Sequence, residues 1–282
     1  MMICTRFAPS PTGLLHLGHA YSALFAQKAA VDAGGQFLVR IEDIDSGRCR
    51  AEFEHAITQD LTWLGLGWGQ PVRRQSEHMD DYKSALDQLQ VENLLYPCFC
   101  TRAEIKAEIA AAGHAPHGPD GPLYPGTCRA LSDDQQTQRK TNGEGFALRL
   151  KMDLAIERAG PLNWSDLGKG EIIATPEIFG DVVLARKDVP TSYHLAVTID
   201  DHIQGINLIT RGEDLFEATH VHRLLQNLLD LDTPDYHHHP LLTDENGKRF
   251  AKRDKSLTLQ QLRENGKTPE QVLTMIGWDT SS

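Results

Sequence analysis

Positive charge is in short supply in this chain. Lys and Arg total 28 against 39 Asp and Glu, a formal net charge of −11. A far field of that sign argues against non-specific binding to nucleic acid and leaves room only for a local basic face. One such face is visible: Lys248, Arg249, Lys252, Arg253 and Lys255 fall within eight residues. Any RNA bound there should be released steeply by salt. Cysteine is equally sparse. Five residues, an odd number and partly clustered, do not make a secreted disulfide framework. No apolar run approaches the roughly 20 residues that span a bilayer. The N-terminus lacks a basic-then-apolar leader. These absences give the expectation of a cytoplasmic protein without a membrane anchor. Internal repeats and low-complexity tracts are also missing.

The most informative segment that is present runs Arg6-Phe-Ala-Pro-Ser-Pro-Thr-Gly-Leu-Leu-His-Leu-Gly-His19. Ile3 to Phe7 reads as a strand, and Pro9 and Pro11 stiffen the turn that follows. From Leu17 through Ala33 the pattern is helical, with Leu17, Ala20, Tyr21, Leu24, Phe25 and Ala29 on one face. His16 and His19, three residues apart, share one side of the helix start. A helix N-terminus offers free N–H groups and a positive dipole end, which suits a polyphosphate. Gly18 leaves room for a flat ligand to approach the backbone.

Residues 1 to about 96 alternate strand and helix: Gln36–Ile41 as strand, then Ala51–Leu64 and Met79–Glu92 as helices. That alternation predicts a parallel, doubly wound sheet. Residues 114–125, rich in Gly and Pro, read as loop. Phe146–Met152, Asp166–Ile173 and Phe179–Ala185 read as antiparallel strands of an insertion. The α/β pattern returns near Ser192, with Leu195–Ile199 and Asn207–Thr210 as strands and Leu215–Leu229 as a helix. Two short helices complete the chain from Leu257 to Trp278. The expected division is 1–96 and 186–256 as halves of one α/β domain, 97–185 as an α+β insertion and 257–282 as a helical tail.

The His16-Leu-Gly-His19 run resembles the first signature of class I aminoacyl-tRNA synthetases. Phe7-Ala-Pro-Ser-Pro-Thr-Gly13 before it is similar to the glutamyl and glutaminyl branch. In that class a second signature, Lys-Met-Ser-Lys-Ser, comes late in the chain. Arg249-Phe-Ala-Lys-Arg253 aligns with it and keeps a lysine at Lys252, with Ala251 in place of the serine. A mobile cation there would meet charge growing on the β- and γ-phosphates in the transition state.

The resemblance implies a Rossmann-like fold and magnesium-bound ATP as substrate. It places Pro9, His16, Gly18, His19 and Lys252 at the nucleotide. It places Arg6, Ser10, Glu42, Tyr193 and Arg211 at L-glutamate. The residue types agree with that. Arg6 and Arg211 offer forked guanidinium groups for carboxylates. Glu42, at a strand's C-terminal end, suits an α-ammonium. Tyr193 could donate its hydroxyl. Two arginines also suit phosphate, so the glutamate assignment follows from the family likeness.

Cys98, Cys100 and Cys128 form a separate constellation. Cys98 and Cys100 would alternate along an extended segment, so the backbone between them must bulge to bring both thiolates together. Three thiolates leave one position of a tetrahedral zinc, with Tyr124, His114 and His117 as candidates. Cys4 and Cys49 read as ordinary core or surface residues. His237, His238 and His239 are consecutive, point in different directions and do not make a chelate on regular backbone. They are expected to flank the nucleotide loop.

Only about twenty-five residues follow the basic loop, too few for the helical anticodon-reading domain of a glutamyl-tRNA synthetase. A short glutamyl core with Cys-x-Cys and Tyr-x3-Cys resembles the glutamyl-queuosine tRNA(Asp) synthetase family. That likeness implies Tyr124 as the fourth ligand of a structural zinc. It also implies transfer of glutamate to the queuosine base in the anticodon of tRNA(Asp). A monomer is expected. A truncated synthetase charging a tRNA 3′ end, a cofactor-forming adenylyltransferase and a non-catalytic RNA-binding relic are the alternatives. Intact His16, His19 and Lys252 count against the last.

Overall fold

The computed structural model describes residues 2–111, 117–119, 121–242 and 257–278. Lys248 to Lys255, with the aligned second signature and Lys252, lies outside the described residues, as does His114. The first half lays β1 (Cys4–Phe7), β2 (Gln36–Ile41) and β3 (Gly69–Arg74) side by side and parallel. They are linked by α1 (Leu17–Asp32) and α2 (Ala51–Trp63). α3 (Met79–Val91) leads to β4 (Leu95–Cys98) and α4 (Arg102–Ala111). A two-rung pairing of β5 (His117–Gly118) with β6 (Gly121–Pro122) follows.

Next come α5 (Asp133–Thr141), β7 (Ala147–Leu150), α6 (Met152–Ala159) and the hairpin of β8 (Asn163–Asp166) with β9 (Gly170–Ile173). β10 (Val183–Ala185) and β4 flank β7, both antiparallel to it. α7 (Tyr193–Ile203), β11 (Leu208–Gly212), α8 (Ala218–Leu228) and β12 (Asp235–His239) restore the parallel pattern, with β12 between β11 and β8. α9 (Leu259–Glu264) and α10 (Pro269–Met275) form the tail.

β11 runs beside β1. Cys4 N donates to Asn207 Oδ1 at 2.8 Å, and Asn207 N donates to the Cys4 carbonyl at 3.2 Å. This contact joins the two halves, so residues near 6 and near 211 meet at one edge. One core cluster packs α1, α2 and the tail helices, with Leu17, Leu24, Ile57, Leu61, Leu259 and Val272 buried. Another packs α3, α6, α7 and α8 around Tyr82, Leu150, Leu184 and Leu195.

Two expectations fail. Leu195–Ile199 is helix, inside α7. Every residue from Leu195 to Asp201 is buried, so no polar face marks the helical period, and the Val, Thr and Ile content reads as strand. Asp166–Ile173 is not one strand but the turn and second arm of the β8–β9 hairpin. The Phe179–Ala185 strand is confined to β10, because residues 176–179 form a 3₁₀ turn. α4, α5 and α6 were not expected. Among the described residues no helix is long and apolar enough to cross a membrane.

Candidate active site

A cleft of about 410 Å³ opens where α1 begins and β1, β2, β11 and α7 converge. His16 and His19 line it. Their imidazoles cap the helix they open. Gly18 N donates to His16 Nδ1 at 3.1 Å, and His16 N donates to His19 Nδ1 at 3.2 Å. An Nδ1 that accepts has no proton, so each neutral ring carries its proton on Nε2. The rings lie 3.8 Å apart between centroids. A Cβ on Gly18 would stand 3.1 Å from His16 Cε1. The glycine therefore leaves room for the capping ring.

Arg6, Glu42, Tyr193 and Arg211 line the same cleft. Ser10 does not: it is exposed, with its Oγ 4.0 Å from Cys49 Sγ. Pro9 is buried behind the loop, where its carbonyl accepts from Glu42 N at 3.0 Å.

Arg6 is held by an acid. Its Nε donates to Asp201 Oδ1 at 2.8 Å and its Nη2 to Asp201 Oδ2 at 3.2 Å, while Nη1 donates to the Thr210 carbonyl at 3.2 Å. Arg40, fully buried on β2, shares Asp201 Oδ1 at 2.7 Å and reaches Glu42 Oε1 at 3.1 Å. Burial alone would raise the Asp201 carboxyl, but Arg6 and Arg40 outweigh it and hold it below the usual carboxylate range. At Glu42 burial wins over Arg40 and Arg6, and its carboxyl is raised. Behind them Asp200 accepts from Arg73, Gln75 and Tyr82 at 2.7 to 3.0 Å. Burial, then Asp200, pushes the Tyr82 hydroxyl far up.

Arg211 has a different shell. Its Nε donates to His238 Nε2 at 3.1 Å, its Nη2 to Thr219 Oγ1 at 2.6 Å, and its Nη1 meets His222 Nδ1 at 3.1 Å. The described residues place no carboxylate within ion-pair distance of it. Tyr193, also at the cleft, sets its ring 5.7 Å from that of His222. Burial, partly offset by Arg211, raises its hydroxyl.

A second constellation lies apart from this cleft. Cys98, Cys100 and Cys128 converge, with their sulfurs all within 4.8 Å of one another. β4 ends at Cys98, so Cys100 leaves the ladder and turns back, as the required bulge anticipates. Cys100 Sγ stands 3.3 Å from Cys128 Sγ and 3.5 Å from Tyr124 Oη. Phe99 N donates to Cys128 Sγ at 3.3 Å, and Cys128 N to Tyr124 Oη at 2.9 Å. A tetrahedral zinc with sulfur at about 2.3 Å sets its sulfurs roughly 3.8 Å apart, so three thiolates this close fit it. His117 is exposed and is not part of the convergent group.

A parallel sheet whose first strand runs into a His-x-Gly-His helix start, with the ligand cleft at the joint of two halves, defines a class I aminoacyl-tRNA synthetase catalytic fold. The family model described as tRNA synthetases class I (E and Q), catalytic domain, matches residues 2–280, and the chain belongs to that family. It is 47% identical over 281 residues to the glutamyl-Q tRNA(Asp) synthetase of Rhodobacter capsulatus, covering 97% of this chain and 99% of that one. Its identity to the glutamate–tRNA ligase of Aquifex aeolicus is 36%, over 97% of this chain and 57% of that protein. The crystal structure of a glutamate tRNA ligase from Elizabethkingia meningosepticum, in complex with its amino acid, superposes with a TM-score of 0.81 at 28% identity. That superposition covers 98% of this chain and 60% of the ligase, so the chain spans less than two thirds of that solved relative.

Proposed function

We propose that this chain activates glutamate with ATP and passes the glutamyl group to the queuosine base of tRNA(Asp). The observation that carries the glutamate part is Arg211: a buried guanidinium at the cleft whose described partners are all neutral. A side-chain carboxylate supplies the missing negative charge. Glu42 receives the α-ammonium, since Arg40 occupies only its Oε1. Tyr193 donates its hydroxyl to the substrate, and Arg6, fixed by Asp201, shapes the wall beside it.

In the first step an α-carboxylate oxygen attacks the α-phosphorus of ATP. The bond to the oxygen bridging the α- and β-phosphates breaks, and pyrophosphate leaves with the electron pair. No protein nucleophile is required. His16 and His19 donate Nε2–H to phosphate oxygens at the positive end of α1, and Lys252 meets charge on the departing pyrophosphate. In the second step a hydroxyl of the queuosine ring attacks the glutamyl carbonyl, its proton passes to the adenylate phosphate, and AMP leaves with the electron pair of the broken acyl–oxygen bond. Residues 97–185, between the two α/β halves, shape the face that receives the anticodon loop. Cys98, Cys100 and Cys128, with Tyr124 as fourth ligand, hold a structural zinc that pins the segment after β4.

The test is glutamate-dependent ATP–pyrophosphate exchange, followed by transfer of labelled glutamate to tRNA(Asp) with and without queuosine. The expected result is transfer only to the queuosine-containing tRNA. Charging of tRNA(Glu) at its 3′ end would overturn the acceptor assignment. Lys252→Ala should lower adenylate formation strongly while leaving thermal unfolding unchanged. A normal exchange rate in that variant would remove Lys252 from the mechanism.

A further inference from the structure

Three consecutive histidines on β12 have no place in the chemistry above, yet the middle one is among the most enclosed groups in the molecule. β12 pairs with β11 in parallel, and the register sets His238 opposite Arg211. Side chains alternate along a strand. His237 and His239 accordingly turn toward Phe25, with ring centroids at 4.8 and 5.2 Å, while His238 turns to Arg211.

On its far side His238 meets Asp166 of the neighbouring strand β8. Asp166 Oδ2 lies 2.7 Å from His238 Nδ1 and accepts from His238 N at 3.0 Å. Both side chains are fully buried. The carboxylate therefore fixes the ring proton on Nδ1 and leaves the Nε2 lone pair aimed at Arg211 Nε. His222 does the same from α8. Its Nδ1 faces Arg211 Nη1, and its Nε2 lies 3.1 Å from His194 Nδ1. Burial, then Arg211, holds both imidazoles in their neutral form: His238 falls to about 4 and His222 lies well below its ordinary value. Thr219 Oγ1 takes Nη2. Three of the five guanidinium N–H groups are thereby used, one on each nitrogen, and each Nη keeps one N–H for a ligand.

We propose that His222 and His238, the latter set by Asp166, are positioning residues that determine acid-over-amide specificity at Arg211. They aim the guanidinium with acceptors that carry no charge. A carboxylate in either place would aim it equally well and neutralise it. The site would then lose its reason to prefer glutamate over glutamine. The proposal rests on the glutamate reading above and adds which residues make it selective.

The experiment uses two nearly isosteric pairs that differ only in charge: His222→Asn against His222→Asp, and His238→Gln against His238→Glu. Asn places its oxygen where Nδ1 stands, and Gln where Nε2 stands. The readout is pyrophosphate exchange with glutamate and with glutamine as probes, with KM and kcat separated and thermal unfolding as the check on folding. The Asn and Gln variants are expected to keep the glutamate-to-glutamine preference within about threefold. The Asp and Glu variants should raise the glutamate KM about 30-fold or more and lower that preference at least about tenfold, with kcat at saturating glutamate far less affected. A folded His222→Asp or His238→Glu that keeps the unaltered preference would overturn the proposal. So would neutral variants that lose as much preference as the charged ones, since that would mean packing alone is at work. Glutamate exchange by the unaltered chain separates this outcome from failure of the functional reading, and its absence would overturn both.

Discussion

Arg6 and Arg211 open on the same cleft from adjacent strands and are held by opposite chemistry. Arg6 shares a buried carboxylate with Arg40, so its charge is answered inside the protein. Arg211 is gripped as firmly, through all three nitrogens, but by two imidazoles and a hydroxyl. A buried ion pair fixes geometry and supports the fold when both partners are present. A cation fixed by neutral acceptors keeps its charge for a ligand. One arginine thus belongs mainly to the architecture that joins β1, β2 and α7, and the proposed reading gives the other to recognition.

The largest effect is expected at Asp201. Asp201→Asn leaves Arg6 and Arg40 facing each other without their shared acid, and should cost about 3–5 kcal/mol of stability in urea unfolding. A loss under about 1 kcal/mol would show that the pair is not architectural. Arg211→Ala should do the reverse. The histidines and Thr219 remain able to pair elsewhere, so unfolding shifts little, while kcat/KM for glutamate falls roughly 10²- to 10³-fold. Away from both arginines, Cys128→Ser should abolish zinc content, expected near one ion per chain by elemental analysis, and lower stability by about 2 kcal/mol. The glutamate KM should change little.

The smallest effect is expected at a third buried charge, Asp60. Asp60 of α2 is buried, neither of its oxygens has a hydrogen bond, and Arg263 of α9 stands 3.3 Å from Oδ1. Burial, only partly offset by Arg263, pushes its carboxyl up to about 6. A carboxyl raised in the folded state contributes most below its unfolded value, and that contribution is lost as pH rises through about 6. Between pH 5 and 7.5 the unaltered chain should therefore lose about 1 kcal/mol relative to Asp60→Asn, read from unfolding at both pH values. A constant difference would mean that Arg263 compensates the charge fully.

The arginine that recognition needs was legible, but its setting was not. His16 to His19 could be read because the motif is contiguous: strand, stiff turn, glycine and helix start follow within fourteen residues. Arg6, Glu42 and Arg211 were reachable only through family likeness, because their meeting depends on β11 lying beside β1, some 200 residues away in the chain. Asp201, Arg40, His222 and Asp166 were missed for the same reason. His238 left a signal, since period-two alternation on a strand separates it from His237 and His239. The strand itself was not recognised, because three histidines carry no hydrophobic pattern. α7 was misread because a helix buried all round shows no face. The Cys98–Cys128 cluster was readable because its three cysteines lie within 31 residues of one another.

The most direct measurement is amino-acid-dependent pyrophosphate exchange, without tRNA, comparing the unaltered chain with Arg211→Ala on glutamate and glutamine. Exchange with glutamate alone, lost in the variant while its unfolding curve stays in place, is the predicted result. Equal exchange with glutamine, or full glutamate exchange after removal of Arg211, would contradict the claim that a buried arginine held by neutral acceptors selects the substrate.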